Sequence, residues 1–80
     1  MLMRGAEVSI DWELRAKGLL KAEIKRKNLT YGQLCEKLAE IGVFENPRSV
    51  ANKISRGRFS VVFFTQCLTA IGCTELQIKF

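Results

Sequence analysis

The side chains best suited to bind another molecule are concentrated in one short segment that follows Pro47. Arginine, lysine, asparagine and serine donate hydrogen bonds to phosphate oxygens and to the base edges of nucleic acids. In this segment they are Arg48, Ser49, Asn52, Lys53, Arg56 and Arg58. The chain carries 13 Lys and Arg against 8 Asp and Glu, a formal charge of +5, which favours a polyanionic partner. A mildly basic domain without a functional reason for its charge is the alternative.

Catalytic and metal chemistry find little support in the residue types. There is no histidine, and the 3 cysteines form no Cys-x-x-Cys pair. Three sulfurs do not complete a structural zinc site, which needs four nitrogen or sulfur ligands. Cys35 and Cys67 fall on apolar helical stripes, where a free thiol behaves as a small hydrophobic side chain. We therefore expect no enzyme, no metal and no cofactor.

The location predicted from the sequence is cytoplasmic. An odd number of cysteines without a disulfide pattern is typical of a reducing compartment. The N-terminus lacks the apolar region of a signal peptide. The apolar run from Val61 to Phe64 is too short to span a bilayer, so no membrane partner is expected.

Four helices are predicted, because four residues with capping side chains each precede an apolar helical pattern. These N-caps are Asp11, Thr30, Asn46 and Ser60. Gln33 completes a capping box with Thr30, and Pro47 is suited to the first position of its helix. The second, third and fourth helices are each ended by a glycine in the left-handed conformation. These glycines are Gly42, Gly57 and Gly72.

The core is predicted from apolar residues at helical spacing. Its expected members are Trp12, Ala16, Leu19, Leu20, Ala22, Ile24, Leu34, Cys35, Leu38, Ile41, Val43, Phe44, Val50, Ala51, Ile54, Val61, Phe63, Phe64, Cys67, Leu68 and Ile71. The fourth helix is the most apolar and is expected to contact the other three. The chain is thus predicted to be a single all-α domain, a helix-turn-helix bundle of four to five helices over residues 11–73. Residues 1–10 would form an N-terminal arm, and residues 74–80 a short strand or a tail.

Residues 74–80 alternate apolar and polar side chains, which is the pattern of a strand. A strand needs a partner to be stable. That partner is either the segment Glu7–Ile10 or the same strand of a second subunit, and the second option predicts a homodimer.

The order of signals from Thr30 to Ile71 resembles the lambda-repressor-like (Cro/repressor-type) helix-turn-helix family. The motifs that carry the resemblance are Leu34-Cys35, Ile54-Ser55-Arg56-Gly57-Arg58 and Ile71-Gly72. A long turn from Gly42 to Asn46 departs from the family pattern. The wider stretch Trp12–Cys73 also resembles an uncharacterised bacterial family of unknown function. The residues that suggest it are Thr30-Tyr31, Asn52–Gly57, Phe59-Ser60 and Gln66-Cys67-Leu68.

The resemblance to the repressor family implies a DNA-binding transcriptional regulator whose third helix reads the major groove. By position, the base contacts would come from Arg48, Ser49, Asn52 and Lys53. The phosphate contacts would come from Thr30, Tyr31, Gln33, Arg56 and Arg58. The alternative is a protein-interaction or dimerisation module on the same fold that does not bind DNA. A continuous positive strip along Arg48, Lys53, Arg56 and Arg58 would favour DNA, and interruption by Glu36, Glu40 or Glu45 would favour the alternative.

Overall fold

The computed structural model describes residues 11–76, which fold into four helices. They are α1 (Trp12–Arg26), α2 (Tyr31–Glu40), α3 (Pro47–Arg56) and α4 (Val61–Ala70). The all-α prediction is confirmed for this part of the chain, and residues 74–76 have no regular secondary structure. The predicted arm at residues 1–10 and residues 77–80 of the predicted strand or tail lie outside the described residues.

Each helix begins at the residue predicted to cap it. The side-chain oxygen of the cap accepts a hydrogen bond from the backbone N–H three residues later, at 2.8–3.1 Å. These caps are Asp11, Thr30, Asn46 and Ser60. Because a cap supplies an acceptor that the first helical turn lacks, it determines where the helix begins.

The helix ends follow a common geometry. Gly42, Gly57 and Gly72 have φ values of 85°, 67° and 77°, and Asn28 takes the equivalent place after α1 with φ 59°. After α2, the N–H of Val43 donates to the carbonyl of Leu38 at 2.9 Å. This bond turns the chain back on the helix and brings the residue after the glycine towards the core.

The core lies between two pairs of helices. α2 packs on α3 and α4, and α1 packs on the same two helices. The buried apolar residues are Leu20, Ile24, Leu34, Cys35, Leu38, Val50, Ile54, Phe63, Cys67 and Ile71. α4 packs on α1 and α2 and meets Lys53 of α3 through Phe63, but its first two residues, Val61 and Val62, are 78% and 65% exposed.

Four large apolar residues predicted to be in the core are exposed: Trp12, Ile41, Phe44 and Val61. The turn after α3 contacts α1 at Glu13. Successive side chains on a helix point about 100° apart, so Trp12, one position before Glu13, points away from this contact. Ile41 is the C-cap of α2 with non-helical φ and ψ, so its side chain leaves the apolar stripe of that helix. Phe44 follows Val43, which occupies the inward position.

Candidate nucleic-acid interface

The outer side of α3 is a row of polar side chains on an apolar base. Val50 and Ile54 are completely buried. Arg48, Asn52 and Arg56 are exposed and lie four residues apart, so they form one row along the helix. The predicted orientation of this helix, with its polar side towards solvent, is confirmed.

The start of α3 is held by two local features. The side chain of Asn46 accepts a hydrogen bond from the N–H of Ser49 at 2.8 Å, and Pro47 occupies the first helical turn. The side chain of Ser49 is partly buried, whereas Arg48 beside it is exposed. Arg48 therefore projects from a capped helix end whose backbone has little freedom.

Lys53 does not belong to the exposed row. Its ammonium nitrogen lies 2.7 Å from a carboxylate oxygen of Glu45 and 4.8 Å from the ring centre of Phe63. The Glu45 side chain is only 17% exposed. Lys53 thus connects the turn before α3 to α4 through an ion pair and a cation–π contact. It was predicted to contact bases; in the structure its ammonium group is paired with Glu45, and its side chain is 42% exposed.

The C-terminal end of α3 is attached to the beginning of α1. The Nε of Arg58 donates to a carboxylate oxygen of Glu13, and the Nζ of Lys17 donates to the carbonyl of Ser55 at 3.2 Å. The Arg58 and Glu13 side chains are 74% and 46% exposed. Exposed ion pairs contribute about 0–1 kcal/mol, so little free energy opposes the exchange of Glu13 for another anion.

At the start of α2, the capping box occupies two of the predicted phosphate contacts. The N–H of Thr30 donates to Gln33 Oε1 at 2.8 Å, and the N–H of Gln33 donates to Thr30 Oγ1 at 3.1 Å. Tyr31 is partly buried against the core. What this helix end can offer an anion is therefore the backbone N–H groups of Tyr31 and Gly32, which have no acceptor within the helix.

An open groove of about 430 Å³ lies beside the start of α2. Its lining residues are Lys21, Ile24, Lys25, Asn28, Leu29, Thr30 and Tyr31. The lysines belong to α1, so the fold brings α1 cations next to the predicted phosphate-contacting end of α2. Neither Lys21 nor Lys25 was among the phosphate contacts predicted from the sequence.

The predicted positive strip of four residues is only partly present. Arg48 and Arg56 are exposed, whereas Lys53 pairs with Glu45 and Arg58 pairs with Glu13. Glu45 is one of the three acidic residues whose presence within the positive strip was expected to favour the protein-interaction alternative. Glu13 was not, because 45 positions separate it from Arg58 in sequence.

The three thiols are poor nucleophiles. Burial raises the pKa of Cys67 to about 12 and also raises the pKa of Cys35. The pKa of Cys73 is raised by burial and by the nearby carboxylate of Glu23, to which its thiol donates at 3.5 Å. Because the thiolate is the reactive form, all three cysteines should react more slowly than a free thiol.

Labelling with a thiol-reactive dye tests this arrangement. In the native protein we expect reaction at the partly exposed Cys73, and the rate should reach half its maximum at a pH above about 8.5, the pKa of a free cysteine, because the pKa of Cys73 is raised. Cys35 and Cys67 should react only after urea is added. A Cys73→Ala variant is the control and should show almost no native-state labelling. Rapid labelling of all three thiols at neutral pH would contradict the described packing.

Within residues 11–76, no three His, Cys, Asp or Glu side chains gather closely enough to hold a metal ion. None of the helices in this described part has the length and apolar character needed to cross a membrane.

One family model matches the part of the chain that holds all four described helices. A family model described as a domain of unknown function (DUF6471) matches residues 12–76, which include all four described helices. No curated protein and no solved structure matches the chain.

Proposed function

We propose that this chain, which belongs to the DUF6471 family of domains of unknown function, binds double-stranded DNA as a transcriptional regulator. The observation that carries the proposal is the outer row of α3. Arg48, Asn52 and Arg56 face solvent, while Val50 and Ile54 are completely buried beneath them. A short helix with a rigid base and a polar, basic outer side has the dimensions and chemistry to enter the major groove.

In this proposal α2 and α3 form a lambda-repressor-like helix-turn-helix. Arg48 would donate two hydrogen bonds to a guanine, and Asn52 would pair with an adenine. Ser49 would lie beside them at the helix start. Lys53, although predicted to contact bases, would hold α3 in place through Glu45 and Phe63.

Phosphate contacts would frame the reading helix. Arg56 is exposed at its end, and Arg58 would exchange Glu13 for a phosphate oxygen. The first turn of α2, with Thr30, Tyr31 and Gln33, would bind the backbone mainly through main-chain N–H groups. These phosphate contacts would neutralise charge and fix the position of the domain on the duplex, and the exposed row on α3 would provide the sequence preference.

The proposal includes a cytoplasmic homodimer. The 3 free cysteines suit a reducing compartment. A dimer would place two copies of α3 about 34 Å apart on the duplex, one helical turn. Sedimentation with and without DNA tests the dimer.

Two arginine variants separate base reading from phosphate binding. Arg48→Ala is expected to weaken binding by about 1–3 kcal/mol and to relax base preference, because a bidentate base contact is lost. Arg56→Ala should weaken binding to all duplexes similarly and lower the salt slope by about 1. Fluorescence anisotropy over a salt series, with a duplex enriched from a random pool, measures both.

Lys37→Ala is the matched control for these variants, because it removes one positive charge from α2 without touching the α3 row. It should leave both base preference and affinity close to those of the unmodified protein. Binding that does not depend on salt, or no binding to any duplex, would overturn the proposal.

A protein-interaction module is the second candidate, and exposed apolar side chains favour it. Phe44, Val61 and Val62 are 82%, 78% and 65% exposed. Two of the four predicted strip residues are also already paired within the chain. A protein that self-associates in sedimentation and binds no duplex would support this candidate.

A further inference from the structure

Phe44 is the most exposed large apolar side chain of the described residues, at 82%. Its orientation follows from its neighbours. Val43 packs against the core, and the carboxylate of Glu45 reaches back to Lys53 at 2.7 Å. Side chains alternate in an extended segment, so Phe44 between two inward residues must point outward.

This ring lies at the leading end of the proposed reading helix. Phe44 precedes the N-cap Asn46 by two residues, and the exposed Arg48 follows that cap by two residues. The backbone on both sides of Phe44 is held, by the Glu45–Lys53 pair on one side and by the Val43–Leu38 hydrogen bond on the other. The ring is therefore presented from a defined position.

The size of this apolar feature favours a small target. A phenylalanine side chain offers about 150–250 Å², and Ile41, the other exposed large apolar residue between α2 and α3, is 43% exposed. A stable protein interface takes about 800 Å² from each partner. One ring beside a half-exposed isoleucine is too small for such an interface, but a single ring is large enough to cover one methyl group.

We propose that Phe44 packs on the C5-methyl group of a thymine in the major groove and so determines base preference at one position of the bound site. This inference rests on the proposed DNA binding. The thymine methyl is the apolar group that a base pair presents in the major groove. A phenyl ring makes no ordinary hydrogen bonds, so it distinguishes thymine by contact with that methyl.

The test removes the methyl and the ring separately. The full chain is titrated with the duplex enriched from the random pool, and each thymine of that duplex is replaced in turn by deoxyuracil, which lacks only the C5-methyl. At one position the unmodified protein should lose about fourfold in affinity, as expected for one buried methyl group. Phe44→Ala should bind the thymine duplex several-fold more weakly and show no deoxyuracil penalty at that position.

Ile41→Ala is the matched control, because it shortens the other exposed apolar side chain between α2 and α3 and should keep the deoxyuracil penalty. Circular dichroism should show that both variants fold, since neither side chain is buried. A Phe44→Ala variant that keeps the full penalty would overturn the inference. So would one that binds DNA normally but loses self-association, because the ring would then face a protein. If no duplex is enriched at all, the proposed function itself fails.

Discussion

Replacing Gly57 with alanine is expected to destabilise the domain by about 2–5 kcal/mol. Gly57 has φ 67°, a conformation in which a side chain costs about 1–2 kcal/mol. A Cβ atom there would also lie 2.3 Å from the carbonyl oxygen and 2.8 Å from the carbonyl carbon of Glu13. These are backbone atoms of α1, so relief requires moving α1 away from the end of α3, at about 1–3 kcal/mol.

Gly42→Ala is the matched control for Gly57→Ala. Gly42 has a similar φ of 85°, but a Cβ atom there would have nothing within 4 Å. It should therefore cost only the conformational part, about 1–2 kcal/mol. Urea unfolding monitored by circular dichroism gives both values. Equal losses for the two variants would mean that α1 does not approach Gly57 in the native protein.

The Gly57 contact also matters for the proposed interface. Arg56 and Arg58 flank this glycine, and Arg58 and Ser55 are both bonded to α1. A variant that separates α1 from this corner should lose DNA affinity together with stability. For a domain of this size the total stability is roughly 4–12 kcal/mol, so Gly57→Ala would remove a large share of it, and unfolded molecules become substantially populated at the low end of that range.

Leu38→Ala is expected to cost about 2–5 kcal/mol. The Leu38 side chain is completely buried on α2, the helix that packs against both α3 and α4. Truncation removes apolar burial and leaves a cavity that neighbouring helices fill only partly. Because Leu38 supports the helix on which α3 rests, DNA affinity should decrease as the folded fraction decreases. Thermal and urea unfolding measure the loss.

Ile41→Ala removes a side chain of similar size from the same end of α2 and is the control for Leu38→Ala. Ile41 is 43% exposed, so its truncation should change stability by less than about 1 kcal/mol. If Ile41→Ala were as destabilising as Leu38→Ala, the C-terminal end of α2 would have a different register from the one described.

The helix boundaries were predictable because the signals that set them are local. Each cap and its acceptor lie three residues apart, as at Asn46 and Ser49, so the chemistry is visible within one turn. The inward Val50 and Ile54 and the outward Arg48 and Asn52 follow in the same way from helical periodicity.

The exposed position of Phe44 was also within reach of local reasoning. The residue that follows the left-handed glycine at a helix end packs back on that helix, and here it is Val43. In an extended segment the next side chain then points to the opposite side. The sequence prediction instead treated Val43 and Phe44 as one apolar unit, although adjacent extended residues cannot both face the core.

By itself the sequence determined an all-α fold over residues 11–73, the residues at which its helices begin, and the polar side of α3. These features depend on residues within about one or two helical turns. Only the tertiary structure decided which cations remain available. Lys53 meets Phe63, Arg58 meets Glu13 across 45 positions, and Gly57 meets the backbone of α1. The strength of an ion pair or a close contact depends on distance in space, and no local pattern records which distant segments will come together.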